Sequence, residues 1–207
     1  MEAGTASTPS RSEAAAATTM ASLAAVAAQR FAGKPALRHK VGEEWVDIDY
    51  ADLGVAVSEV ARGLIDLGIV RGDRVSILAN TRPEWTYANL GILAAGGASV
   101  SIYQTNSPEE CHYVLEHSES RAVFVEDGEQ LAKIREIEDD LPALEFVIVM
   151  DPDTDIGDAV TLDDLRELAD ELWPLERMSA AGIGPDQDVF GEAMAPLGLR
   201  GGVEVAA

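Results

Sequence analysis

From Asp66 to Val149 short apolar runs alternate with helical patterns, and this alternation restricts the fold more than any other feature of the chain. Val75 to Ala79, Ala98 to Tyr103, Ala122 to Glu126 and Phe146 to Val149 read as strands separated by capped helices. Such a succession predicts an α/β architecture with a mostly parallel sheet and crossover helices. Right-handed crossovers place the carboxyl ends of the strands on one edge, where open sheets of this class bind ligands. The loops expected on that edge are Asn80-Thr81, Gln104 to Ser107, Asp127-Gly128 and Asp151 to Asp155.

Local signals set the remaining elements. Asp49 is placed to cap a helix in which Leu53, Val57, Val60, Leu64 and Leu67 recur at steps of four and three, with Gly68 as its left-handed stop. Thr81-Arg-Pro-Glu84 and Ser107-Pro-Glu-Glu110 both read as capping boxes with a proline early in the helix. Further helices are expected over Ala21 to Phe31, Gln130 to Asp140 and Leu162 to Leu172, and two short strands over Ala36 to His39 and Glu44 to Ile48. Residues 1–19 lack an apolar period and read as a disordered lead-in, so that Met1 and Met20 are both eligible starts. Residues 20–172 form the α/β region. Residues 173–207, rich in glycine and proline, read as a divergent, poorly ordered tail.

Charge and motifs narrow the chemistry. Fifteen Lys and Arg against 37 Asp and Glu give a formal charge of -22, which excludes nucleic acid as a partner unless a local basic patch exists. The longest such patch is Arg38-His39-Lys40. One cysteine, Cys111, rules out an intrachain disulfide. The apolar run Leu23 to Ala28 is too short for a membrane span, and the expected location is cytoplasmic.

No Gly-x4-Gly-Lys-Ser/Thr loop, dinucleotide fingerprint or Gly-x-Ser-x-Gly elbow occurs. Asp151 to Asp158 resembles the opening of a calcium loop but has Ile156 at its sixth position and Leu162 at its twelfth. Cys111, His112 and His117 do not share a helix face, which argues against a metal cluster. A phosphoacceptor receiver would need aspartates after the first core strand, which ends instead in Ala79-Asn80.

Four blocks together carry a resemblance. Leu67-Gly-Ile-Val-Arg-Gly-Asp-Arg-Val-Ser-Ile-Leu78, Asn80-Thr-Arg-Pro-Glu-Trp85, Leu90-Gly-Ile-Leu-Ala-Ala-Gly-Gly97 and Ser107-Pro-Glu-Glu110 resemble the N-terminal region of the adenylate-forming enzymes. Among these the chain is most similar to the bacterial ATP-dependent long-chain acyl-CoA synthetases, over about Leu23 to Val149. The resemblance implies a partial, truncated N-terminal α/β subdomain. It also implies a two-step reaction: a fatty carboxylate attacks MgATP to give an acyl-adenylate, and the thiol of CoA then displaces AMP. ATP, Mg and CoA are therefore the cofactors implied for the full-length family.

The family's Ser/Thr/Gly-rich phosphate loop, aromatic-Gly-Thr-Glu block, ribose-binding aspartate and C-terminal lysine find no counterpart in these residues. The expectation is a chain inactive alone, with no catalytic residue of its own. The resemblance places Gln104 and Thr105 beside the coenzyme, where relatives often carry glycine, and sets Lys133 or Arg135 near a coenzyme phosphate. The rival reading is a non-catalytic module that self-associates, or binds a full-length synthetase or carrier, through an exposed sheet edge. A change of reading frame after about residue 172 is a third. Acyl-chain length is not encoded in these residues.

Overall fold

A computed structural model describes residues 19–152 and 155–172. The expected lead-in (save Thr19) and the expected tail lie outside the described residues. The elements run α1 (Leu23–Phe31), β1 (Pro35–Val41), β2 (Glu44–Asp49), α2 (Tyr50–Asp66), β3 (Arg74–Leu78), α3 (Pro83–Ala94) and β4 (Ala98–Ile102). They continue with α4 (Pro108–Ser118), β5 (Ala122–Val125), α5 (Gly128–Arg135), β6 (Phe146–Val149), β7 (Val160–Thr161) and α6 (Leu162–Leu172).

β3 is an interior strand: Val75, Ser76, Ile77 and Leu78 are buried and it pairs in parallel with both β4 and β5. The five-stranded order is β4-β3-β5-β6-β7, parallel throughout, and β1 and β2 form a separate antiparallel hairpin. Alternation sorts the strand side chains into two layers. Val75, Ile77, Phe124 and Ile148 meet Val60 and Leu64 of α2, Ile92 of α3 and Leu165 of α6. Leu78, Val123, Val125 and Val147 meet Cys111 and Leu115 of α4 and Leu131 and Ile134 of α5.

The turn into β3 is built from hydrogen bonds. Gly68 closes α2 at φ 88°, with its N–H donating to Ile65 and that of Ile69 donating to Leu64, the paired bonds of a Schellman cap. Asp73 then accepts the Val70 amide at 2.9 Å and an Arg121 Nη1 bond at 2.6 Å. Arg121 also donates to the Gly68 carbonyl and grips Glu145 with two bonds, at 3.0 and 2.6 Å. One guanidinium thereby fastens the starts of β3, β5 and β6. The Val70 amide, and after it Arg121, hold the Asp73 carboxyl below the usual carboxylate range against an opposing effect of burial.

Several boundaries depart from the sequence reading. Ala79, Tyr103 and Glu126 lie just past the ends of their strands, β7 follows Asp158 unannounced, and α5 stops at Arg135 before a short 3-10 turn over Glu138–Asp140. The expected capping box at Thr81 does not form. Pro83 is the first residue of α3, which makes Arg82 the N-cap, with no side-chain cap bond. Glu84 takes the Arg82 Nε at 2.7 Å instead. At α4 the serine directly precedes the proline, and the reciprocal box of Ser107 and Glu110 is complete. Proline sets the register of the first turn, so a hydroxyl two residues before it falls outside the cap.

Two predictions follow from this packing. A Cβ at Gly63 would lie 2.2 Å from the Leu165 carbonyl oxygen and 2.8 Å from Leu165 Cγ. Gly63→Ala gains about 1 kcal/mol of helix propensity but forces α6 away from α2, at about 1–3 kcal/mol for overpacking. A net loss in the urea midpoint is expected. Asp73, with its folded-state pKa lowered, contributes stability that is complete above about pH 4 and fades as pH falls through the folded value. Asp73→Asn removes that contribution, so its urea midpoint should fall less steeply on acidification than that of the parent.

Candidate functional site at the carboxyl edge

Four connections meet at the carboxyl edge, after β3, β4, β5 and β6. Chain order reverses around β3, with β4 on one flank and β5 on the other. The crevice between the ends of β3 and β5 is the usual ligand position in such sheets. Here it is filled. Glu126 Oε2 accepts from both the backbone N–H and the side-chain Nδ2 of Asn80, at 2.7 and 2.8 Å. Its other oxygen stands 3.6 Å from Arg82, whose second nitrogen lies 3.6 Å from Asp151.

Arg82 thus sits among Glu84, Glu126 and Asp151, three quarters buried. Burial opposes its charge, yet Glu84, then Asp151 and Glu126, more than offset that and raise its pKa. Neither Arg82 nor Glu126 stands out in the sequence as a site residue. They are 44 positions apart, and the signal that could have found them is a carboxylate one step past β5 facing a cation past β3.

Beside this network, between the ends of β3 and β4, lies a cavity of about 460 Å³ lined by Asn80, Thr81, Trp85, Ser101, Tyr103 and Gln104. Tyr103 is 78% exposed at its mouth. The residues singled out from the sequence converge nearby: Lys133 Nζ donates to the Gln104 carbonyl at 2.7 Å, and Thr105 is exposed on the same loop. Lys133 therefore joins α5 to the loop after β4 while its charge faces a neutral acceptor.

Arg135 is elsewhere. It binds both oxygens of Glu138, the Ile156 carbonyl and Asp158, fastening the segment before β7. Cys111 is fully buried, and burial pushes its thiol pKa up, with Lys133 pulling weakly the other way. It packs rather than reacts. His117 stacks on Tyr113, with ring centroids 5.7 Å apart.

Helices α3, α4, α5 and α6 all begin at this edge, and every first turn is acidic: Glu84, Glu109 and Glu110, Glu129, and Asp163 and Asp164. Asp127 caps α5 through the Gln130 amide. The positive ends of these helices are already answered by the chain's own carboxylates.

Residues 24–183 match the model of the AMP-binding enzyme family. The chain belongs to this family. It is similar to the long-chain-fatty-acid–CoA ligase ACSBG1 of Rattus norvegicus, with 33% identity over 156 residues, 74% of this chain and 22% of the ligase. Similarity to ACSBG2 of Xenopus laevis reaches 40% over 113 residues, 55% of this chain and 15% of the relative. The long-chain-fatty-acid–CoA ligase FadD15 of Mycobacterium bovis matches at 38% over 104 residues.

The chain therefore spans about a fifth of the length of these curated relatives. Among solved structures, the anthranilate CoA ligase AuaEII aligns with a TM-score of 0.61 at 23% identity, covering 72% of this chain and 27% of that one. Coronafacic acid ligase from Pectobacterium brasiliense aligns at 0.64 and 20%, covering 72% and 29%. At these identities the structures establish the fold: an α/β parallel sheet of the kind found in adenylate-forming ligases. Among the described residues no helix is long and apolar enough to cross a membrane.

Glu126→Ala would leave the Asn80 amide without its acceptor and Arg82 without one of its carboxylates. A loss of about 1–3 kcal/mol is expected, read from the shift in urea midpoint.

Proposed function

We propose that residues 20–172 are an incomplete AMP-binding α/β region of a fatty-acid–CoA ligase, and that the whole ligase converts fatty acid, ATP and CoA to acyl-CoA, AMP and pyrophosphate through an acyl-adenylate. The observation that carries this reading is the family match over residues 24–183, together with relatives named as long-chain-fatty-acid–CoA ligases.

The described residues do not fit a triphosphate. Phosphate sites at helix N-termini depend on backbone amides and a positive dipole. At this edge acidic first turns oppose a further anion, and Arg82 is already surrounded by carboxylates. No step through ATP is therefore assigned to this region, and the 207-residue chain alone is inactive in adenylation. The purified chain should give only background ATP–pyrophosphate exchange with a long-chain fatty acid and Mg. Exchange that depends on the fatty acid would overturn the inactive-alone reading and leave the family standing.

Coenzyme A finds a better match. Lys133 offers an ammonium to one phosphate, and the loop of Gln104 and Thr105 offers backbone and hydroxyl groups beside it. The Gln104 side chain, standing where relatives often carry glycine, limits the approach of a ligand to the backbone. A charge-assisted hydrogen bond contributes about 1.5–3 kcal/mol, so Lys133→Glu should weaken CoA binding by tenfold or more in titration calorimetry. Unchanged affinity would remove Lys133 from the site.

One observation favours a second reading, that of an association module. β4 pairs only with β3 among the described strands, leaving its outer edge without a strand partner. Light scattering during size exclusion discriminates, since a monomer at all concentrations excludes self-association.

A further inference from the structure

In a chain of formal charge -22, no Asp, Glu, Lys, Arg or His occurs from Trp85 through Pro108, the longest uncharged stretch of the sequence. It holds most of α3, the whole of β4 and the loop after it. β4 stands at one edge of the sheet, paired only with β3 among the described strands. At the opposite edge β7 is two residues long, too short to invite a further strand.

The outer side of β4 is open to pairing. The Ala98 N–H donates to the Asp73 carbonyl at 2.8 Å, which turns the backbone polar groups of Ala98, Val100 and Ile102 toward β3. Alternation along the strand turns those of Ser99 and Ser101 outward. Long edges are ordinarily blunted by a charge, a proline or a bulge. Ala98-Ser-Val-Ser-Ile102 has no charge and no proline, and its register with β3 runs without a shift. Ser99 Oγ is buried without a hydrogen-bond partner. Tyr103, one residue beyond the strand, is exposed.

We propose that β4 pairs with β4 of a second copy, antiparallel and centred on Val100, joining two five-stranded sheets into one. The pairing rests on the association reading and gives it a partner and a register. With Val100 on the two-fold axis, Ser99 of one copy faces Ser101 of the other, and Ala98 faces Ile102. The outward groups of Ser99 and Ser101 make theirs the hydrogen-bonded type of antiparallel pair, with two bonds exchanged. Val100 meets its own copy in the closer, non-hydrogen-bonded type. Serine hydroxyls meet across such a pair, so Ser99 Oγ gains a partner by turning about χ1. Ala98 against Ile102 sets small against large, and Tyr103 lies alongside Gly97 of the other copy, an aromatic cover for an edge glycine. A two-fold contact sets each patch against itself. Any charged strand would then face its own sign, and β4 escapes this in an otherwise acidic chain. Five residues are few beside the roughly 20–30 a side of a standard interface, so a dissociation constant in the micromolar range is expected.

Light scattering during size exclusion of the 207-residue chain tests the pairing, together with amide hydrogen exchange. A monomer–dimer equilibrium is expected, with protection of the Ser99 and Ser101 amides that grows with concentration. Ser101→Pro deletes an outward N–H that no ladder bond within the chain uses, and edge strands tolerate proline there. Ser101→Lys sets like charges on either side of the axis, and keeps the test decisive if proline disturbs the strand. Both variants should retain the parent circular dichroism and weaken dimerisation by about tenfold or more. A monomer at every concentration up to about 500 µM overturns the proposal and excludes self-association with it. A dimer that both folded variants retain overturns the β4 pairing alone and leaves the association reading standing. Protection of Ser99 and Ser101 that is already complete in the monomer also overturns it, since another segment of the same chain would then cover the edge.

Discussion

The burial of β3 on both faces is the constraint from which the remaining architecture follows. Val75, Ile77 and Leu78 have no exposed surface, and together these three aliphatic side chains represent about 5–9 kcal/mol of transfer free energy. One face demands a helical layer from α2, α3 and α6, and the other demands α4 and α5. A strand covered on both faces and paired on both edges leaves only its two ends free. The networks around Arg121 and Glu126 lie at those two ends.

The two ends are used differently. At the amino end Arg121 ties Gly68, Asp73 and Glu145 into one cluster, and Arg74 reaches the Ser118 carbonyl at 2.6 Å. These contacts hold the strand starts together, while Arg71 of the same turn is exposed. At the carboxyl end Glu126 fills the crevice between β3 and β5, which displaces open space to the flank beside β4, under Trp85 and Tyr103. The site of interest is thus moved off the sheet's topological switch point by one side chain.

Much of this was legible in the sequence because its signals are local. The period of α2, the glycine after it and the apolar runs each concern residues close along the chain, and all of them emerge in place. The convergence of Gln104 and Thr105 with Lys133 entered through a resemblance, and the 2.7 Å bond gives it a geometry without establishing a function. What stayed hidden is non-local or a matter of register. Arg82 and Glu126 meet only because parallel strands bring distant loops to one edge. The cap at Thr81 failed because Pro83, one residue further than in the Ser107 motif, decides where the helix begins. β7, two residues long, is too short for any period to announce.

The electrostatics of the carboxyl edge bear on what the region can hold. An anion at a helix N-terminus gains about 0.3–1 kcal/mol, rising to about 2 in partly buried geometry. A carboxylate about 4 Å from a phosphate oxygen repels it by about 4 kcal/mol at the effective dielectric of a protein surface. With acidic residues in all four first turns, repulsion exceeds the dipole wherever a phosphate comes that close. Arg82 does not reverse this, since Glu84, Glu126 and Asp151 together outweigh its single charge. Lys133 is placed differently: it meets a neutral carbonyl, at the margin of the cavity and across the sheet layer from α3. Lys133 nevertheless shares its side of the edge with the acidic first turns of α4 and α5.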